Sequence, residues 1–299
     1  MDSLVAAVRR AEDGHIDFKL YRYVPSLPAA VVSLAVFGLL TILHTWRLVR
    51  ARAYYFTAFA IGGAFQTIGY AGRLWSHFDR SSVSAFSIQA ILILVAPALF
   101  AASIYMILGR LIRTLGASHL SLIPVAWLTT VFVMGDVLSF TLQAGGGGVQ
   151  ASGTIEMYNL GEKLIVVGLF VQIAVFGFFV ATSILFHHRI ATAPTHAAIH
   201  GTVPWKRHLF VLYTTSTIIL VRSVFRVVEY LQGNGGYLIS HEVFLYIFDM
   251  VLMVAVMAIF LVYYIDDLES KRARKRKDNT TLQCEAESSD GMLHEFPRK

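Results

Sequence analysis

Seven stretches of the chain are apolar for long enough to cross a hydrocarbon layer as helices, which takes roughly 20 mostly apolar residues. They cover residues 25–46, 53–74, 85–108, 120–142, 163–186, 209–231 and 242–264. The fifth and seventh are nearly unbroken, whereas polar residues interrupt the second and sixth. Short connectors join all seven, and no internal repeat is visible. The pattern predicts an all-α integral membrane bundle of seven transmembrane helices over residues 25–266. A polar segment, 1–24, precedes it, and a basic, mixed-charge tail predicted to be disordered, 267–299, follows. The first segment mixes Arg9, Arg10, Lys19 and Arg22 with Asp2, Glu12, Asp13 and Asp17, and it lacks the apolar core of a signal peptide.

The interruptions are periodic. Span six carries Arg222, Arg226 and Glu229, a spacing of four and then three that puts them on one helix face. Span seven repeats it with Glu242, Tyr246 and Asp249, span two with Gln66, Tyr70 and Arg73, and span four with Asp136, Ser139 and Gln143. Gln89 in span three and Gln172 in span five add single polar positions. Such stripes face a bundle interior or water rather than lipid.

Composition settles the broad class. Only 15% of residues are charged, 56% are hydrophobic and the mean hydropathy is +0.61. A soluble domain carries about 25% charged residues. A disulfide framework is excluded, because Cys284 is the chain's one cysteine. The net charge of +6 is a matter of placement rather than of nucleic-acid binding. Lys271, Arg272, Arg274, Lys275, Arg276 and Lys277 follow the last span directly, where basic clusters set orientation and meet anionic inner-leaflet lipid. Counting Arg73 and Lys163 at the span ends together with the connectors and termini, sixteen Lys and Arg lie on the side of the tail and seven on the other. This predicts a cytoplasmic C-terminus and an N-terminus outside.

In that orientation Arg73, Arg222, Arg226, Asp136, Glu229, Glu242 and Asp249 all fall in the outer halves of their helices, with Gln89 at the same level. Two readings follow. The charges can lock helices six and seven together, as polar contacts do in many bundles. They can also line a hydrated pocket open to the outer leaflet. Seven charges at one depth favour the pocket, since locking needs fewer.

Other chemistries find little support. The run Gly145–Gly148 has no following Gly-Lys-Ser/Thr, so it is no phosphate loop, and both it and Gly233–Gly236 are expected to be flexible outer loops. Pro97 is expected to kink span three. Of eleven histidines only His44 lies well inside a span, which argues against haem or a catalytic metal. No lysine lies inside a span to hold retinal, since Lys163 stands at the edge of span five. No cofactor, metal or enzymatic activity is expected. Asn279-Thr280-Thr281 matches a glycosylation pattern, on the side where it would go unused.

Several segments form a recognisable set: Tyr21 to Pro28, Gly69-Tyr70-Ala71-Gly72-Arg73, the run QAILILVAPALFAASIYMILGR from Gln89 to Arg110, Asp136 with Gln143 to Gly147, Gly168 to Gln172, and Arg222 to Tyr230. Gly233, Gly236, Glu242, Tyr246 and Asp249 complete it. Together they resemble the fungal RTA-like (resistance to aminocholesterol) family of lipid-translocating exporters. The match runs from Tyr21 to about Asp267. It departs at Gln66, where the family commonly has an acidic residue. The resemblance implies a multi-pass plasma-membrane protein that exports or translocates sphingoid long-chain bases and confers tolerance of toxic amphiphiles. Related members are associated with porphyrin or haem movement. A long-chain base carries a cationic amine on an apolar tail, so Glu229, Asp249, Glu242 and Asp136 are candidate amine contacts, with Arg222 and Arg226 orienting them. The rival expectation is a receptor or sensor of lipid stress with the same topology. It lacks an Asp-Arg-Tyr after span three and an Asn-Pro-x-x-Tyr in span seven.

Overall fold

Pro28 sits in the first turn of the first helix, where its missing N–H has no intrahelical partner to lose, and helix α1 runs over Leu27–Ala51. Arg52 ends it with a left-handed φ of 53°, which lets the amides of Arg52 and Ala53 close on Val49 O and Leu48 O at 3.2 and 3.1 Å. A computed structural model describes the chain over residues 26–79, 83–150, 155–200, 204–232 and 236–263. After α1 come α2 (Thr57–Phe78), α3 (Val83–Thr114), α4 (Val125–Gln150), α5 (Ile155–Thr192), α6 (Trp205–Leu231) and α7 (Glu242–Val262). The punctuation is local. α4 and α6 begin directly after Pro124 and Pro204, α5 stops ahead of Ala193-Pro194, and α3 gives out before Gly116 at φ 62°. All regular secondary structure among the described residues is helical. The tail and the first 24 residues lie outside the described residues.

Six of these helices, α1 and α3 to α7, are long and apolar enough to cross a membrane. α2 has 22 residues, but Gln66, Thr67, Arg73, Ser76 and its glycines lower its apolar character. It is shielded instead, packing between α1 and α3. Each helix packs on its neighbours in sequence, α7 closes back onto α1, and α3 meets α6 across the middle. Half or more of the apolar windows of α3 and α6 is buried within the bundle, 56% and 50%, against 22–28% for α1, α4, α5 and α7. The outer faces of those four present Leu39, Ile42, Met134, Phe170, Ile184 and Val251. At one end of the bundle basic side chains lie over aromatic rings: Arg50 over Trp46 at 5.3 Å, Arg110 over Tyr55 at 3.7 Å and Arg207 over Tyr263 at 4.8 Å. Such pairs anchor a protein at the membrane–water boundary.

Lipid tails are as apolar as leucine, so burying leucine does not by itself hold membrane helices together; close packing and polar contacts do. Glycines supply the close packing here. A Cβ at Gly62 would meet Phe100 at 2.8 Å and one at Gly69 would meet Ile93 at 2.7 Å, which brings α2 onto α3. On the other side Gly146 and Gly161 sit backbone to backbone.

Two expectations are corrected. Gly145–Gly148 is not a loop but the last turns of α4. Helix propensity alone opposes this, yet Gly146 lets α4 lie against the Gly161 carbonyl and the Ile165 backbone of α5, and that contact overrides propensity. α5 is also much longer than the expected span of 163–186. At 38 residues and about 1.5 Å per residue it extends ~57 Å, past a hydrocarbon core of about 30 Å. Its charged ends continue the helix outside the apolar layer because nothing breaks it before Pro194. Of the second expected loop, 233–235 lie outside the described residues.

The glycine run offers a direct test. Gly145, Gly147 and Gly148 have nothing within 4 Å of an added Cβ. Changing each to Ala should raise stability by about 0.5 kcal/mol through reduced chain entropy. Gly146→Ala should lower it, because its Cβ would meet the Gly161 carbonyl at 2.7 Å. Thermal unfolding midpoints in detergent read both signs, and a loop would show neither.

Candidate functional site

The α6 stripe faces α7. Arg226 Nη1 donates to Glu229 Oε2 one turn on at 2.8 Å. The same guanidinium reaches across to Asp249, with Nε on Oδ1 at 3.2 Å and a second contact from Nη2 to Oδ2. Arg222 Nε lies 2.8 Å from Asp249 Oδ1, so one carboxylate serves two arginines. Asp249 sits in a π-helical turn, Tyr246–Val251, within α7. Such a turn inserts an extra residue and re-aims its side chains, and it occurs frequently at functional sites.

Arg222 has a second task. Its Nη2 donates to Ile93 O on α3 at 3.1 Å. Ile93 lies four residues before Pro97, which has no N–H to bond that carbonyl. The helix continues through Pro97, and the guanidinium satisfies the acceptor the proline leaves open. α3, α6 and α7 therefore meet at one buried arginine.

A second cluster lies at the end of the bundle where α1 and α7 start and α2 finishes. Arg73 Nη2 donates to Glu242 Oε1 at 2.7 Å and Arg73 Nε donates to Tyr246 Oη at 3.1 Å. Tyr246 Oη donates to Glu242 Oε1 at 3.2 Å. The Ser26 amide, at the head of α1, donates to both Glu242 oxygens at 3.0 Å. Tyr70 stacks between Phe37 and Tyr246, at 5.1 and 6.4 Å, and its hydroxyl finds no hydrogen-bond partner among the described residues. Neither amide atom of Gln66 finds one either. Gln89 is buried on α3.

The third group is separate. On α4, Asp136 accepts from the Tyr105 hydroxyl of α3 at 3.0 Å. Ser139 Oγ donates to Gly168 O of α5 at 2.8 Å, and Gln143 Nε2 donates to Ser139 Oγ at 2.7 Å and to Gln172 Oε1 at 3.2 Å. His44, the one histidine deep in a span, has Nε2 2.9 Å from Met257 O and packs on Phe59 at 4.9 Å.

The structure thus gathers six of the seven expected charges into pairs among α2, α6 and α7 and leaves Asp136 with Tyr105. Three arginines face three carboxylates, so the paired set is neutral as a whole. It binds five helices, α1, α2, α3, α6 and α7. Its most accessible members are Glu242 and Arg226, with side chains 15% and 14% exposed. Two contributors carried no sequence signal as strong as a charge. Ser26 acts through its backbone. Tyr105 is buried in an apolar run, though it is the one tyrosine in span three.

Helices, lipid-facing apolar surface and buried ion pairs define a polytopic α-helical membrane protein. The chain belongs to the fungal RTA1-like family, whose sequence model, described as "RTA1 like protein", matches residues 59–271. It is 36% identical over 280 residues to Protein RTA1 of Saccharomyces cerevisiae, covering 85% of this chain and 86% of that one. It is 35% identical over 283 residues to Protoporphyrin uptake protein 1 of the same yeast, covering 82% and 91%. A more distant relative is the Sphingoid long-chain base transporter RSB1 of S. cerevisiae, 26% identical over 264 residues, covering 77% of this chain and 69% of that one. No solved structure matches.

Proposed function

We propose that this protein is a non-enzymatic translocator of ionic amphiphiles, with sphingoid long-chain bases as the favoured class. All seven helices cross the membrane in this reading, α2 included because its neighbours cover its polar face. The N-terminus lies outside, the basic tail lies against anionic lipid of the inner leaflet, and the plasma membrane is the site of action. The observation that carries the proposal is the neutral ion network with partly exposed members at its edge. Glu242 is 15% exposed and Glu229 is 9% exposed, and each is held by an arginine. A lipid amine reaching that edge can replace an arginine on either carboxylate, while its tail stays along the apolar outer faces in lipid. Gln66, Tyr70, Gln89 and Tyr246 offer polar partners to hydroxyls of the headgroup, and Arg73, Arg222 and Arg226 hold the carboxylates in place. Asp249 anchors the arginines. Asp136, Gln143 and Gln172 lie on the α4–α5 side.

The relative named for sphingoid long-chain bases supports this class. The relative named for protoporphyrin uptake supports a second substrate, an amphiphile with carboxylates that would engage the arginines instead. Two of the three accessible ionic groups are acidic, which favours the amine. Reconstituted protein should move a labelled sphingoid base across liposome membranes faster than empty liposomes do. Glu229→Gln with Glu242→Gln should cut that rate about tenfold, the effect of losing one charge-assisted contact. A rate equal to that of empty liposomes would sink the proposal. Faster movement of porphyrin than of base would reassign the substrate.

A further inference from the structure

Asp136 differs from every other carboxylate of the bundle described above. It is 6% exposed, and the Tyr105 hydroxyl that donates to it belongs to a fully buried residue. Among the described residues no cation pairs with it. The three arginines of the interior are already matched by Glu229, Glu242 and Asp249.

Among the described residues the groups packed at this level are neutral. α3 contributes Tyr105, the one titratable group that faces it. α5 brings Gln172, Val175, Phe176 and Phe179 to this level. On α4 itself the adjacent turns hold Phe132, Ser139 and Gln143. Arg113 meets α4 at Val125 O, 3.2 Å away, eleven residues and about 16 Å along the helix from Asp136.

A carboxylate in such a place must be neutralised, because an isolated charge in a low-dielectric interior is strongly disfavoured. Either a cation or a proton can do this. Packing decides between them. The Tyr105 ring lies 4.5 Å from Phe179, 5.3 Å from Phe132 and 6.1 Å from Phe176, centroid to centroid, and all four side chains are buried. These rings supply no acceptor beside the carboxyl for the remaining donors of an ammonium group. A proton needs none.

We propose that Asp136 and Tyr105 form a proton-binding site in the membrane interior, separate from the arginine network, and that its proton is exchanged during the transport cycle. In the closed bundle Asp136 is a neutral acid. When α3 and α4 part enough to admit water, the carboxyl O–H bond breaks and the proton passes to a water molecule. The neutral acid accepts the Tyr105 hydroxyl in the closed bundle, and the carboxylate left behind is hydrated by the water that has entered. Ser139 and Gln143 extend the same α4 face onto Gly168 and Gln172 of α5, so a change at Asp136 is passed to the α4–α5 contact. The proton site stands on its own, and only its coupling to lipid movement rests on the translocator reading.

Infrared spectroscopy of the full chain in liposomes tests it without any substrate. A neutral carboxylic acid has a C=O stretching band distinct from that of a carboxylate. The wild type should show such a band, shifted by isotopic labelling of aspartate carboxyl carbons and lost as the pH is raised. Asp136→Asn should abolish it. Asp136→Glu, which keeps the acid should the Asn variant fail to fold, should take the band out of the labelled set. Tyr105→Phe should move it to higher frequency, since a hydrogen bond to the carboxyl is lost. An Asp136 that is ionised at every pH at which the protein is folded would overturn the proposal. So would a band that disappears only when an amine is added, which would make this a cation site. In the second arm, an imposed pH gradient should speed sphingoid-base movement several-fold in the wild type, and Asp136→Asn should lose that response. A titrating band without any lipid movement supports the proton site and counts against the translocator reading alone.

Discussion

Asp249→Leu is expected to destabilise the bundle by about 3–5 kcal/mol, the loss typical of removing one partner from a buried ion pair. The cause is the shared acceptor. Arg222 and Arg226 both end on this carboxylate, and a leucine strips both at once. Arg226 would keep Glu229, one turn away on its own helix. Arg222, only 1% exposed, would keep nothing but the Ile93 carbonyl. A guanidinium cannot shed its proton to escape, so the charge stays buried. Since native stability is about 5–15 kcal/mol, the variant should lose much of its folded, monodisperse fraction in detergent. Asp249→Asn keeps an acceptor oxygen but no charge and should fall between the two. An unfolding midpoint for Asp249→Leu equal to that of the wild type would show that the carboxylate does not hold α6 to α7.

How far the sequence reveals this arrangement depends on the range of the interaction. Apolar length is a local property, and the seven expected spans each overlap one of the observed helices. The spacing of Arg222, Arg226 and Glu229 is local too, and it correctly places the Arg226–Glu229 pair on one face. Partner choice across helices is not local. Arg73 and Glu242 are 169 residues apart, and which acid each arginine meets follows from how α2 and α6 pack on α7. The π-helical turn that carries Asp249 has no signature in composition. Tyr105 stayed hidden because a tyrosine in an apolar run differs from phenylalanine by one oxygen, and only the facing Asp136 gives that oxygen a role. Gly145–Gly148 misled for the opposite reason: its local propensity is clear, but helix–helix contact at Gly146 outweighs it. Backbone polar groups also escape a reading of side chains, as with the Ser26 amide on Glu242 and the Ile93 carbonyl beneath Arg222.

The α4–α5 contact should be as sensitive as the ion pairs, although it holds no charge pair. Gly168→Leu is expected to destabilise the protein by about 3 kcal/mol, at the upper end of overpacking effects. Even a Cβ at Gly168 would meet Ser139 O at 2.9 Å and the Gln143 amide nitrogen at 3.1 Å. Those atoms belong to the α4 backbone and cannot rotate away as a side-chain tip can. Relief requires the helices to separate, which would lengthen the 2.8 Å bond from Ser139 to the Gly168 carbonyl and the 3.2 Å bond from Gln143 to Gln172. In lipid these contacts matter more than the leucine's added apolar surface, because that surface is equally content facing acyl chains. Gly177 on the same helix supplies the control. It has nothing within 4 Å of an added Cβ, so Gly177→Leu should leave the thermal midpoint in detergent near that of the wild type. Gly168→Leu should lower it clearly. Equal midpoints for the two variants would mean that α4 and α5 are not held by backbone contact at Gly168, and that the bonds around Ser139 and Gln143 do not depend on it.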